Sequence, residues 1–125
     1  METENLPIKV DFSPTFERQF RILFKRYRQI RSDVRLVIEK LQSGEILGDR
    51  LSGLNVVVFK VRVKNSDIQK GKSAGYRLIY QVESPSSIIM LAIYSKSDRS
   101  DISSNEIEEI VEEFKLQAQE NEDWL

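Results

Sequence analysis

The sequence contains neither cysteine nor histidine. Without cysteine the chain forms no disulfides or thiolate metal sites, and it does not fit a disulfide-stabilised secreted scaffold. Without histidine it lacks the commonest zinc ligand, the usual general base and the Ser–His and Cys–His nucleophile pairs. Any catalysis must therefore depend on Lys, Arg, Tyr, Ser or carboxylate side chains.

Long apolar runs are also missing. The longest, Ile88–Tyr94, is far too short to cross a bilayer. The first residues, METENLPIKV, have neither the basic region nor the apolar region of a signal peptide. We therefore expect a cytoplasmic protein with no membrane partner. Its 125 residues, of which 40% are hydrophobic and 31% charged, fit one globular domain over residues 1–125.

The formal net charge of −1 conceals an asymmetry along the chain. Residues 9–77 carry 16 basic and 7 acidic side chains, a net charge of +9, whereas residues 78–125 carry 3 basic and 11 acidic ones, a net charge of −8. We predict a basic body over residues 9–96 and an acidic C-terminal helix over about residues 103–120. A basic body suits a phosphate-rich partner, although chance clustering of solvated charges is an alternative.

Hydrophobic periodicity predicts a strand and two helices in the first third of the chain. Ile8–Phe12 alternates between apolar and polar residues, as a short strand does. Ser13 and Pro14 then provide an N-cap and a first helical residue, and apolar residues recur at helical spacing behind them. Ser32 or Asp33 is expected to cap a second helix. The short connection predicts an antiparallel helical hairpin.

Three strands and a helix are predicted after the turn-rich stretch Gly44–Gly53. Asn55–Lys64 alternates so that one face is wholly apolar and the other turns basic halfway along. Tyr76–Val82 and the apolar, central Ile88–Lys96 follow it in an antiparallel meander. A capping-box pattern at residues 103–106 begins the last helix. The predicted class is α+β, in the order β-α-α-β-β-β-α: an antiparallel sheet of about four strands, packed by an N-terminal helical hairpin, with a C-terminal helix.

A basic face on two neighbouring strands is the first candidate site. Lys60, Arg62 and Lys64 share one face of the second strand, and Arg77 lies near the start of the next. Pairing of these strands brings Arg77 within reach of Arg62 or Lys60. Like charges across strands destabilise a sheet, and a polyanion relieves that repulsion. The alternative is an edge that Lys and Arg keep soluble.

The loop between these strands is a second candidate. Lys70 and Lys72 are interleaved with flexible residues and can close on a phosphate, or they are solvated side chains of a mobile loop. The loop is not a P-loop, because Ser66 stands where the first glycine is required and a strand, not a helix, follows.

A third cluster lies at the end of the fourth strand, where Lys96 and Arg99 come to one end of the sheet. Asp98 and Asp101 accompany them at i, i+3 spacing. Two carboxylates alone fit a solvated turn before the last helix better than a metal site.

Four segments of the chain, taken in order, resemble the RelE/ParE superfamily of bacterial type II toxin–antitoxin toxins, on the RelE side. They are RLSGL at 50–54, FKVR at 59–62, GYRLIYQV at 75–82 and YSK at 94–96. The resemblance implies an endoribonuclease that enters the ribosomal A site, contacts rRNA and cuts mRNA. The 2′-hydroxyl attacks the adjacent phosphate and leaves a 2′,3′-cyclic phosphate and a 5′-hydroxyl. It also implies a cognate antitoxin, and neither metal nor cofactor.

The resemblance assigns roles by position. Lys60 becomes the base, Arg62 and Arg77 hold the phosphate, and Lys96 becomes an acid or a further anchor. The expected RNA- or ribosome-binding residues are Lys64, Lys70, Lys72 and Arg99.

The chain departs from the family at two positions. Ser97 and Ser103 stand where type members have Arg and Tyr. Two other functions stay open on the same fold. One is a ParE-like inhibitor of DNA gyrase, and the other is an antitoxin-binding module whose catalytic site has decayed.

Overall fold

The computed structural model describes residues 7–68 and 74–123, with side chains as far as residue 120. It has three helices and a five-stranded sheet, so the predicted α+β class, helical hairpin and C-terminal helix are confirmed. The elements are β1 (Lys9–Phe12), α1 (Pro14–Arg26), α2 (Ile30–Gln42), β2 (Asp49–Arg50), β3 (Val57–Val63), β4 (Tyr76–Ser84), β5 (Ser87–Ser95) and α3 (Ser104–Asp123).

The sheet order is β1-β5-β4-β3-β2. The predicted antiparallel meander β3-β4-β5 is confirmed; β5, predicted as the central strand, is an interior strand beside β4, which takes the central place. Two expectations were wrong. A fifth strand, β2, lies in the stretch read as turns, because two residues are too short to show alternation. In addition, β1 pairs with β5 in parallel. The long chain segment between these two strands provides the crossover connection that a parallel pair needs.

Two predicted helix starts are confirmed by their capping bonds. The Ser13 hydroxyl accepts the backbone N–H of Phe16 at 3.0 Å, at the start of α1. The Ser103 hydroxyl accepts the N–H of Glu106 at 3.1 Å, at the start of α3. The second half of the expected capping box does not form, because the Glu106 carboxylate binds Arg99 instead.

The second helix begins earlier than predicted. Its N-cap is Gln29 and its first residue is Ile30, so Ser32 and Asp33 lie inside the first turn. Asp33 is buried and accepts the backbone N–H of Ser66 at 2.9 Å as well as its hydroxyl. The predicted cap therefore holds the connection after β3 against α2, a role set by tertiary contact.

The sheet has a hydrophobic core on each face. The α1–α2 hairpin packs on the face that carries Val61 and Val63, as the alternation of β3 predicts. Helix α3 packs on the opposite face, against Val58 and its neighbours on β4 and β5. Lys60 and Arg62 belong to that second face by parity. No helix within the described ranges is long and apolar enough to span a membrane.

Candidate functional site

Three side chains form a row across the neighbouring strands β3, β4 and β5, near one end of the sheet. Arg62 on β3 lies opposite Arg77 on β4, and Arg77 lies opposite Tyr94 on β5. Lys60 lies two residues before Arg62 and therefore on the same face. The predicted pairing of Arg77 with the basic end of β3 is confirmed. Opposed residues place their Cβ atoms about 5 Å apart, so two arginine side chains start from neighbouring positions on one face.

Exposure rises along β3 in the direction of this row. Val58 is fully buried under α3, the Lys60 side chain is 30% exposed, and Arg62 is exposed. Arg77 is 6% exposed, and its guanidinium donates to the backbone oxygen of Tyr76 at 3.3 Å. Within residues 7–68 and 74–123, Arg62 makes no hydrogen bond or ion pair. A buried cation beside an open one is an arrangement that suits an anion.

A carboxylate approaches Lys60 from the segment that joins β5 to α3, residues 96–103, called here the β5–α3 segment. Asp101 Oδ1 accepts from Lys60 Nζ at 3.2 Å and from the backbone N–H of Ile102 at 2.8 Å. The bond from Ile102, and then that from Lys60, lowers the pKa of Asp101, so this carboxylate is charged at neutral pH. Sequence reasoning placed Asp101 in a solvated turn and missed the ion pair, because its partner is 41 residues away.

Arg99 and Lys96 lie at the expected end of the sheet, but their donors face the protein. The Arg99 guanidinium binds the Glu106 carboxylate in a bidentate pair at 2.8 and 3.0 Å, and its carbon lies 5.3 Å from the centre of the Tyr94 ring. The pair lowers the pKa of Glu106. Lys96 Nζ donates to the backbone oxygen of Ser100 at 3.3 Å. These two cations are therefore engaged by the β5–α3 segment and the first turns of α3.

Tyr94 is the third residue of the row, and its phenol hydroxyl is the group of interest. Its side chain is almost fully buried, and its hydroxyl has no hydrogen-bond partner among the described residues. Burial raises the pKa of this phenol; Asp101 adds to the effect, and Arg77 and Arg99 oppose it. Tyr94 was not among the predicted site residues. The pairing of β4 with β5, had it been drawn from the sequence, would have placed it beside Arg77.

The remaining predicted cations are more scattered. Lys64 is exposed just past the end of β3. Lys70 and Lys72 lie outside the described residues. The start of their loop is anchored, since Asp67 accepts the backbone N–H of Gln29 at 3.0 Å. The structure therefore groups Lys60, Arg62 and Arg77 but does not bring Lys64 into the row.

The two aspartates considered as metal ligands have separate partners. Asp98 pairs with Arg26 of α1 at 2.6 Å, and Asp101 pairs with Lys60. In the part of the chain that the structure describes, no three carboxylates are grouped closely enough to hold a metal ion.

Comparison with known proteins identifies the family. A family model described as the RelE toxin of the RelE/RelB toxin–antitoxin system matches residues 16–124. A search of curated proteins found no match. The matched range includes the basic row, the β5–α3 segment and all of α3, and proteins of this kind are toxins that act with an antitoxin partner. The chain belongs to the RelE toxin family.

Proposed function

We propose that the protein is an endoribonuclease toxin that cuts mRNA on the ribosome and that a cognate antitoxin restrains it. The observation that carries this proposal is the grouping of Lys60, Arg62 and Arg77 on one sheet face, where exposed Arg62 lies opposite buried Arg77, in a chain of the RelE family. Adjacent cations do not stabilise a sheet. Binding of a phosphate group by these cations explains why they are grouped.

The proposed reaction uses the RNA's own nucleophile. The 2′-hydroxyl loses its proton, its oxygen bonds to the adjacent phosphorus, and the bond from phosphorus to the 5′ oxygen breaks as that oxygen takes up a proton. Charge accumulates on the non-bridging phosphate oxygens during this step. Arg62 and Arg77 are proposed to bind those oxygens, because planar guanidinium groups match them in pairs of hydrogen bonds.

Proton transfer is assigned to the two lysines. Lys60 is proposed as the base for the 2′-hydroxyl and Lys96 as the acid for the leaving oxygen. An ammonium that is paired with Asp101 has no lone pair with which to accept a proton. Lys60 therefore acts as base only after its contact with Asp101 is broken and the ammonium has released a proton to solvent, which connects catalysis to the β5–α3 segment.

Cleavage on purified ribosomes tests the proposal. Wild-type protein is expected to cut mRNA in the A site and leave a 2′,3′-cyclic phosphate, and R62A or R77A is expected to lower the rate by at least about 100-fold, as loss of a group that stabilises transition-state charge does. R35A is the matched control, because Arg35 is an exposed arginine on α2. Intact mRNA with folded wild-type protein would refute the nuclease.

A supercoiling assay with DNA gyrase separates the main alternative. The proposed nuclease leaves gyrase active at concentrations that stop translation. Gyrase inhibition that survives in R62A and R77A would instead favour a ParE-like function. Antitoxin binding without effect on mRNA or gyrase would favour a decayed module.

A further inference from the structure

We propose that Asp101 is a resident competitor for the substrate phosphate at Lys60, and that it makes the protein discriminate against free RNA. The inference rests on the proposed function, since it takes the RNA to come within reach of Lys60; while Lys60 is an ammonium it attracts the incoming phosphate, before it serves as base. It adds a residue that determines which RNA the site accepts.

The position of the carboxylate supports competition. Asp101 lies 3.2 Å from Lys60, and its side chain is 66% exposed whereas that of Lys60 is 30% exposed. The carboxylate is thus the more exposed member of the pair, and it already contacts the ammonium that an incoming phosphate would contact. The Lys60 ammonium has three donors, but a carboxylate and a phosphate that share it carry like charge and repel each other, so binding of one disfavours the contact with the other.

The backbone holds this competitor in place. The oxygen that meets Lys60 also accepts the N–H of Ile102, and the backbone oxygen of Asp101 accepts from Arg99 Nε at 2.9 Å. Arg99 in turn is fixed by its bidentate pair with Glu106. The carboxylate is therefore tethered at high local concentration, and an incoming phosphate meets its negative charge on every binding event.

The pair is nevertheless displaceable. Exposed ion pairs are weak, so exchanging Asp101 for one phosphate changes the affinity little. Net gain comes when the RNA reaches Arg62 and Arg77 together with Lys60. A short flexible RNA rarely does so, whereas RNA presented by a larger assembly arrives already positioned. The charge of Asp101 therefore lowers the affinity for free RNA more than the affinity for RNA that a larger assembly holds in position.

Binding of a short single-stranded RNA oligonucleotide tests this role. D101N keeps the acceptor for Ile102 and removes the charge. We expect its affinity for free RNA to be roughly two- to fivefold higher than that of wild type, and its dependence of log K on log salt to be steeper by about 0.7, the value for one more phosphate contact on a single strand. D98N is the matched control, because it removes one charge from the same segment and frees Arg26 instead.

The double variant K60A/D101N decides the mechanism. If Asp101 acts through Lys60, the D101N effect disappears in the K60A background. The proposal is overturned if D101N leaves free-RNA binding unchanged or weakens it, if D98N strengthens it equally, or if the gain persists in K60A. Ribosomal cleavage is measured on the same proteins, so intact cleavage together with a null D101N result would refute the competitor and keep the nuclease.

Discussion

Arg62 and Arg77 lie directly opposite each other on β3 and β4, one exposed and the other 6% exposed. Opposed like charges on a sheet are destabilising. The arrangement resembles other functional sites in which stability is given up for ligand binding. It also gives the two residues different expected sensitivities, because only Arg77 is packed among neighbours.

We predict that R62Q separates stability from function. Removing the exposed charge is expected to leave the free energy of unfolding unchanged or to raise it by about 0.2–1 kcal/mol, while RNA cleavage falls steeply. Chemical denaturation and ribosomal cleavage measure the two effects. R35Q, at an exposed position of α2, is the control in both assays. Destabilisation of R62Q by more than about 1 kcal/mol would show that Arg62 has a structural role.

The sequence predicted well what local pattern determines. Alternation in β3 assigned Lys60 and Arg62 to one face, and the capping signal at Ser13 gave the start of α1. The sequence predicted poorly those features that depend on contacts between segments far apart in the chain. The parallel pairing of β1 with β5 and the burial of Asp33 under Ser66 arise from packing between segments that are far apart in the chain. Local periodicity contains no information about such partners.

Gly48 is predicted to control the position of β3. Its φ is +83°, and a Cβ there would lie 2.3 Å from the backbone oxygen of Lys60. G48A is expected to cost at least about 2 kcal/mol and to weaken RNA binding, because the strand that carries Lys60 has to shift.

Gly44 provides the matched control for Gly48. Its φ is +100°, but a Cβ there meets nothing within 4 Å. G44A is therefore expected to cost only about 1 kcal/mol and to leave RNA binding unchanged. Thermal unfolding and RNA titration compare the two variants. Equal losses would mean that backbone conformation, and not the contact with Lys60, accounts for the Gly48 effect.

Two buried tyrosines are predicted to respond oppositely to loss of the hydroxyl. Tyr80 donates to the backbone oxygen of Leu47 at 2.6 Å and accepts its N–H at 3.0 Å, whereas the Tyr76 hydroxyl has no partner among the described residues. Y80F is expected to destabilise the fold by about 1–2 kcal/mol, because it leaves two backbone groups of Leu47 unpaired. Y76F is expected to be neutral or stabilising. Urea unfolding of both variants checks the difference.

The candidate site shows the same division between local and distant information. Basic residues on β3 and β4 were found from alternation and from the resemblance to a family. The acidic partners of Lys60 and Arg99 were not found, because Asp101 was interpreted only as part of a turn and Glu106 only as part of a helix. Asp101 meets Lys60 across 41 residues of the chain, and Glu106, in the first turn of α3, meets Arg99 in the segment before that helix. The acidic C-terminal part of the chain thus neutralises two basic residues at this end of the sheet, which net charge alone does not reveal.

Glu106 is predicted to make stability fall at acid pH. Its pair with Arg99 lowers its pKa in the folded state below the unfolded value of about 4.3. The stabilisation is therefore complete above that unfolded value and is lost as the pH falls through the folded pKa. Wild-type protein should lose more stability than E106Q between about pH 6 and pH 3, by well under 1 kcal/mol because the pair is more than a third exposed.

Unfolding in urea at each pH measures the difference between wild type and E106Q. E108Q is a suitable control, since Glu108 is an exposed carboxylate of the same helix and forms no ion pair among the described residues. The comparison cancels the general effect of removing one negative charge from α3. A pH dependence in E106Q that matches wild type would mean that the bidentate pair contributes nothing to folding and that Arg99 is held by its bond to the backbone oxygen of Asp101 and by the contact with the Tyr94 ring.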